Sequence, residues 1–170
     1  MAKKTKTKGL SVFEDYYHEV WQERWEVLRG ALQKPVEHIA RINSFSDEEE
    51  IKKLKNSDIH NCQGVRYLAH QNFPTSNIGV SGLQKYYFMD LASIFPVLAL
   101  DPKPSEKILD MCAAPGGKTL IIFELMRGQG KLVANEMAAD RRARLKRVIC
   151  DYVPNECQKS IQVTSYDASR

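Results

Sequence analysis

The sequence predicts an α/β protein: a small helical region over residues 1–79, then, over 80–170, the first half of an open parallel sheet wound with helices. Three strand-like segments carry that prediction. The run Lys107-Ile108-Leu109-Asp110 is short, apolar and closed by an acid, and it turns through small residues and two glycines into an apolar helix that starts near Lys118. The segment Lys131-Leu132-Val133-Ala134-Asn135 ends in Glu136, and Ile161-Gln162-Val163-Thr164-Ser165 alternates apolar and polar residues up to Asp167. Strands that alternate with helical stretches of about 10–15 residues pair in parallel. The expected unit is therefore a Rossmann-like βαβαβ half, with its ligand beyond the carboxyl ends of the strands.

Upstream, Ser11 and Glu14 make a capping box, and Phe13, Tyr17, Val20, Trp21, Trp25, Leu28 and Leu32 recur at helical spacing up to Pro35. One aromatic-faced helix is expected there, its rings packing a core, although aromatic side chains also stack on unpaired bases. A second helix is expected from Val36 to Ile42 and a third from Asp47 to Leu54. Residues 56–82 hold Asn, Gly, Pro and Ser at turn-like intervals and read as a linker with a small strand or two. His60 and His70 have no second partner there at metal-ligand spacing, so no metal is expected. Over 84–100 the residues Tyr86, Tyr87, Met89, Leu91, Ile94, Phe95 and Leu98 are apolar nearly all round, which predicts a buried helix interrupted by Pro96.

The loop Cys112-Ala113-Ala114-Pro115-Gly116-Gly117-Lys118-Thr119 has the layout that a nucleotide-type cofactor needs, because backbone approaches a ligand closely where no Cβ intrudes. A phosphate-binding loop, G-x-x-x-x-G-K-[ST], would need its first glycine where Cys112 stands. An ordinary glycine turn between strand and helix leaves the preceding Cys-Ala-Ala-Pro unexplained. Glu136 lies about twenty residues beyond the glycines, where an acid accepts both hydroxyls of a ribose. Asp167 is placed to accept from an adenine exocyclic amine. Either acid alone reads as a solvated loop carboxylate; their shared placement after successive strands tips the balance to the ligand role.

As written, Asp110-Met111-Cys112-Ala113-Ala114-Pro115-Gly116-Gly117-Lys118-Thr119 resembles the first motif of the Nol/Nop/Sun family of RNA cytosine-5 methyltransferases. The resemblance extends upstream through Tyr86–Ser93. Downstream it runs through Val133–Glu136 with Arg141, Tyr152-Val153-Pro154 and Val163–Asp167, in the manner of the subgroup that acts on mitochondrial ribosomal RNA. It covers residues 80–168 well and 1–79 loosely. It implies S-adenosylmethionine as cofactor, held by Cys112, Ala113, Ala114, Pro115, Gly116, Gly117, Lys118, Glu136, Arg141 and Asp167, and methyl transfer to cytosine C5 in structured, ribosomal RNA. A partner protein, which some relatives need, is left open.

That chemistry requires a thiolate that adds to the ring's C6. In the resembled family the cysteines stand in Asp-x-Pro-Cys and Thr-Cys segments, whereas Cys62, Cys112, Cys150 and Cys157 stand in neither context. No catalytic residue is assigned in this chain, which reads as the cofactor-binding front part of an enzyme, inactive alone. The alternative is a non-catalytic RNA-binding or ribosome-assembly factor that retains the cofactor fold. A P-loop phosphotransferase is disfavoured by Cys112 and by the lack of a Walker-B acid, since Glu136 follows the polar Asn135.

Charge is a weaker pointer. The 25 basic and 21 acidic residues leave a net +4, unevenly spread. Lys3, Lys4, Lys6 and Lys8 form a leader, while Arg141, Arg142, Arg144, Lys146 and Arg147 crowd one helix. Such clusters supply salt-dependent RNA affinity or simply a solvated helix face; Arg141 could instead brace the loop after Glu136. No apolar run approaches the roughly eighteen residues of a membrane span, so no membrane partner is expected. The Lys-only leader lacks a signal peptide's apolar centre and the arginines of a presequence. With four cysteines in no disulfide or Cys-x-x-Cys pattern, the expected location is the cytoplasm, with the mitochondrial matrix as alternative.

Overall fold

The computed structural model describes residues 2–46, 59–69 and 78–169, and the chain divides into two compact units, Met1–Val36 and Glu37–Arg170. In the first, α1 (Ala2–Trp21) and α2 (Arg24–Leu32) replace the single expected helix. The break falls at Gln22, whose φ of 49° puts it in the left-handed region. The turn brings Trp25 back onto α1, where its ring stacks on Tyr17 at 5.2 Å and meets Phe13 at 5.9 Å; Trp25 is buried. Ser11 lies inside α1 rather than at its cap. Glu14 accepts from Trp25 Nε1 at 3.0 Å and pairs with Arg29 at 3.0 Å, so the capping-box pattern marks a helix-to-helix contact instead.

The second unit holds two sheets. An antiparallel sheet has the order β2-β3-β1-β4, from β1 (His38–Ile42), β2 (Ile59–Cys62), β3 (Val65–Ala69) and β4 (Tyr86–Asp90). It was not expected. The helix predicted over Val36–Ile42 is β1, a central strand paired with β3 and β4, and Ile39–Ile42 are all buried. Burial on both faces erases the alternation that marks a strand in sequence. The expected linker contains a tight hairpin whose two loop residues, Gln63 (φ 47°) and Gly64 (φ 91°), have the paired positive φ of a type I′ turn. The helix predicted over 84–100 begins as β4, aligned residue by residue with β1 from His38↔Asp90 to Ile42↔Tyr86. A 3-10 turn (Leu91–Ser93) follows, and only then α3 (Phe95–Leu100), which Pro96 opens rather than interrupts. The domain border expected at 79/80 therefore runs through one sheet, and the compact units meet at 36/37. The helix expected over Asp47–Leu54 and His70 lie outside the described residues.

The predicted parallel half-sheet is present as β5 (Lys107–Asp110), β6 (Lys131–Asn135) and β7 (Ile161–Thr164), in the order β5-β6-β7 and in register from Lys107↔Lys131 to Asn135↔Thr164. Helices α4 (Gly117–Leu125) and α5 (Ala139–Tyr152) make the crossovers, and α6 (Asn155–Gln158) leads into β7. Leu132 and Ala134 of β6, Leu120 to Phe123 of α4 and Leu145 and Ile149 of α5 form one core, which Ile39 of β1 and Val97 of α3 join. The two sheets are also tied by polar contacts. Asn43 Nδ2 donates to Gln84 O at 2.8 Å and Tyr152 O at 2.9 Å, and the Tyr152 hydroxyl donates to Tyr86 O at 2.8 Å. Arg41, fully buried on β1, pairs with Glu124 of α4 and lies over the Tyr87 ring at 5.9 Å.

Burial pushes the Tyr152 phenol up to about 12, against the opposing charge of Arg41. An unfolded tyrosine ionises near pH 10.0. The contribution of this buried phenol is therefore complete below pH 10 and is lost as the pH climbs through about 12. Ultraviolet titration of phenolate absorbance should show this tyrosine ionising together with alkaline unfolding, and Tyr152→Phe should remove that step.

Candidate cofactor site

The loop between β5 and α4 is fixed at each of its turns. Thr119 donates its hydroxyl to Asp110 Oδ2 at 2.7 Å, so the acid that closes β5 holds the first turn of α4. Ala113 N–H donates to Asn135 O at 2.9 Å, which lays the loop along β6. The Ala114–Pro115 peptide is cis. Gly116, with φ 121°, turns the chain into α4, and a Cβ on it would stand 2.8 Å from Val148 Cγ1 of α5. A Cβ on Gly117 would stand 2.8 Å from the Tyr87 ring. The glycines thus let the loop press against α5 and β4, rather than only clearing space for a ligand as their sequence suggested. Gly116→Ala combines a left-handed φ with an overlap and should cost about 2–4 kcal/mol, read as a lowered urea midpoint.

These contacts decide against the phosphate-loop reading. Gly117, the first residue of α4, lies against the Tyr87 ring, and burial raises the Tyr87 pKa despite the nearby Arg41. Thr119 is turned to Asp110. That hydroxyl is therefore not directed at a phosphate's metal, as that reading requires.

Beyond the carboxyl ends of the parallel strands lies a cavity of about 270 Å³ that brings together Cys112, Glu136, Arg141 and Asp167, with Met111, Met137 and Tyr166 among its other walls. Glu136 is buried at the end of β6, and its Oε1 accepts from Ala138 N at 3.0 Å beside the N-terminus of α5. Its Oε2 faces Arg141 Nη2 at 3.4 Å, while the same guanidinium donates to Ala114 O at 3.0 Å. Arg141 therefore clasps the loop to the acid. Asp167 is exposed; Oδ1 accepts from Ser169 N at 3.0 Å and Ser169 Oγ at 2.6 Å, and these bonds hold its carboxyl below the usual range.

Across the loop, a second cavity of about 230 Å³ is lined by Tyr87, Met89, Asp90 and Ser93 on one side and by Cys112 to Pro115, Gly117 and Lys118 on the other. The two cavities share Cys112. Sequence reasoning did not single out Asp90, Ser93 or Tyr87 for the site, because it placed them in a helix. Asn135 was also missed, although a polar residue ending an apolar strand was a visible signal.

The basic helix separates into different parts. Arg142 Nη1 donates to Glu136 O at 2.9 Å and Met137 O at 2.8 Å, so it fixes the turn after β6. Arg144, Lys146 and Arg147 are exposed, and at about 100° per residue they fan over the helix instead of lining one stripe. Among the described residues no group of three His, Cys, Asp or Glu side chains could hold a metal, and no helix is long and apolar enough to cross a membrane.

The family model described as 16S rRNA methyltransferase RsmB/F matches residues 97–170. The 5-cytosine rRNA methyltransferase NSUN4 of Bos taurus is 43% identical over 100 residues, covering 58% of this chain and 26% of that protein. The mitochondrial tRNA (cytosine(34)-C(5))-methyltransferase of Danio rerio is 30% identical over 178 residues, covering 93% of this chain and 48% of its own. The chain thus spans between about a quarter and a half of these curated relatives. Among solved structures, a methyltransferase homolog from Pyrococcus horikoshii superimposes with a TM-score of 0.64 at 26% identity, over 93% of this chain and 52% of that one. The NSun6 of the same organism, solved with SFG, shares the fold at a TM-score of 0.62 and 17% identity, over 91% of this chain and 65% of its own.

Proposed function

We propose, from the premise that this chain belongs to the Nol/Nop/Sun family of RNA cytosine-5 methyltransferases, that it is the S-adenosylmethionine-binding part of an enzyme that methylates C5 of a cytosine in ribosomal RNA. The observation that carries this reading is the cavity at the strand ends, where a buried carboxylate, a second acid and the shaped loop converge.

The donor set suits that cofactor. Glu136 offers a carboxylate that is already desolvated to a vicinal diol, which a ribose presents. Asp167 offers an acceptor for an exocyclic amine, and the thioethers of Met111 and Met137 offer soft apolar walls for a purine. On the other side of Cys112, Asp90 and Lys118 present opposite charges to a zwitterionic amino acid. When bound, the cofactor supplies a methyl group on a positively charged sulfur. This chain's part is to bind and orient it: Arg141 holds the loop on Glu136, and the Tyr87 ring packs against the start of α4.

The nucleophilic thiolate is assigned to none of the four cysteines. Cys112 belongs to the loop, Cys62 ends β2, and Cys150 and Cys157 lie on α5 and α6. Arg144, Lys146 and Arg147 remain the candidates for RNA phosphates, with Arg142 excluded because it braces backbone. The relative named as mitochondrial supports the matrix over the cytoplasm as the place of action. Bisulfite sequencing of ribosomal RNA from cells lacking the gene tests the reaction: loss of methylation at a defined cytosine supports it, and an unchanged profile overturns the ribosomal target.

A further inference from the structure

We infer that Asn135 is the positioning residue of the cofactor cleft, the group that sets its two walls at a fixed distance from Glu136; this rests on the S-adenosylmethionine reading above. Asn135 is the last residue of the central parallel strand and is buried. A side-chain amide has two N–H donors and two acceptor lone pairs. All four are used. Nδ2 donates to Met111 O at 3.2 Å and to Tyr166 O at 2.9 Å. Oδ1 accepts from Tyr166 N at 2.8 Å and from Thr164 Oγ1 at 2.8 Å. Because the Tyr166 N–H can only donate, it fixes which end of the amide is oxygen.

The partners give these bonds their meaning. Met111 directly precedes Cys112, where the loop leaves β5, and Tyr166 directly precedes Asp167. One side chain on β6 therefore grips the backbone of a wall residue on each flank of the cavity, next to Cys112 on one side and Asp167 on the other, and itself directly precedes Glu136. Backbone bonds tie each flank to β6 singly, Ala113 N–H to Asn135 O at 2.9 Å and Glu136 N–H to Thr164 O at 3.1 Å, whereas the Asn135 amide holds both flanks through one side chain. The amide thereby couples the position of the loop to that of the chain after β7. The bond to Thr164 differs in kind: it stays within the paired register and reaches neither wall.

That difference supplies the test. Asn135→Asp keeps the shape and the two acceptor contacts but turns an oxygen towards the carbonyls of Met111 and Tyr166, so the ionised side chain repels both. Protonation returns one donor, so the damage should ease in acid. Thr164→Val removes only the bond inside the sheet. We expect calorimetric titration of the full chain with S-adenosylhomocysteine to show Asn135→Asp weakened about tenfold or more at pH 8 and partly restored near pH 5. Thr164→Val should stay within about twofold of the unmodified protein while losing melting temperature. Equal weakening in both variants, or an Asn135→Asp affinity equal to that of the unmodified protein throughout, would overturn the positioning role. Failure of the unmodified protein to bind S-adenosylhomocysteine would instead sink the cofactor reading itself.

Discussion

Glu136→Ala should lower the affinity for S-adenosylhomocysteine by about a hundredfold, the expected loss of two hydrogen bonds to a charged acceptor at about 1.5 kcal/mol each. The carboxylate is buried before any ligand arrives, so its desolvation is already met by the fold and its acceptors are pre-placed. Part of it serves the protein: Oε1 caps Ala138 N at the start of α5, and the alanine variant should also lose about 1 kcal/mol of stability. Glu136→Gln separates the two roles. Its amide oxygen can still accept from Ala138, so stability should be retained, while the diol loses a charged partner and affinity falls by about tenfold. If calorimetry gave Glu136→Ala the affinity of the unmodified protein, the ribose assignment would be wrong.

Arg41→Ala has the largest expected effect on the fold, about 3–5 kcal/mol, because it strands a nearly buried carboxylate without its counter-charge. Among the described residues Glu124 would keep only the Ser44 hydroxyl, 3.0 Å away. The pair joins β1 to α4, and Arg41 also lies over Tyr87, whose ring packs against Gly117. Breaking it should therefore loosen the cofactor loop along with the interface between the sheets. Replacing both partners with apolar residues of similar volume, Arg41→Met with Glu124→Leu, should recover most of the stability. Urea denaturation of the two variants and the parent checks the order; an Arg41→Ala variant as stable as the parent would show that the pair is incidental.

The parallel half-sheet was legible because its signals are local. Gly116 and Gly117 punctuate the chain, and Ile161–Thr164 alternates apolar and polar residues. Glu136 and Asp167 could be placed from those strands by counting, and the structure brings them to one cavity with Cys112 and Arg141. The antiparallel sheet was hidden for the opposite reason. β1 sits between two strands with four of its five residues buried, and β4 is an aromatic run that continues into a turn and a helix, so each reads as a helix by periodicity. The hidden sheet carries Tyr87 and Asp90 to the loop, which is why the second cavity went unforeseen. Asn135 escaped for a further reason: its role depends on Met111 and Tyr166, which approach only once the three strands are in register.

The most direct test of the account is calorimetric titration of the full chain with S-adenosylhomocysteine and, separately, with ATP and magnesium. Saturable binding of S-adenosylhomocysteine in the micromolar range, with no heat from ATP, is the predicted result. Binding of ATP with magnesium and none of S-adenosylhomocysteine would contradict it.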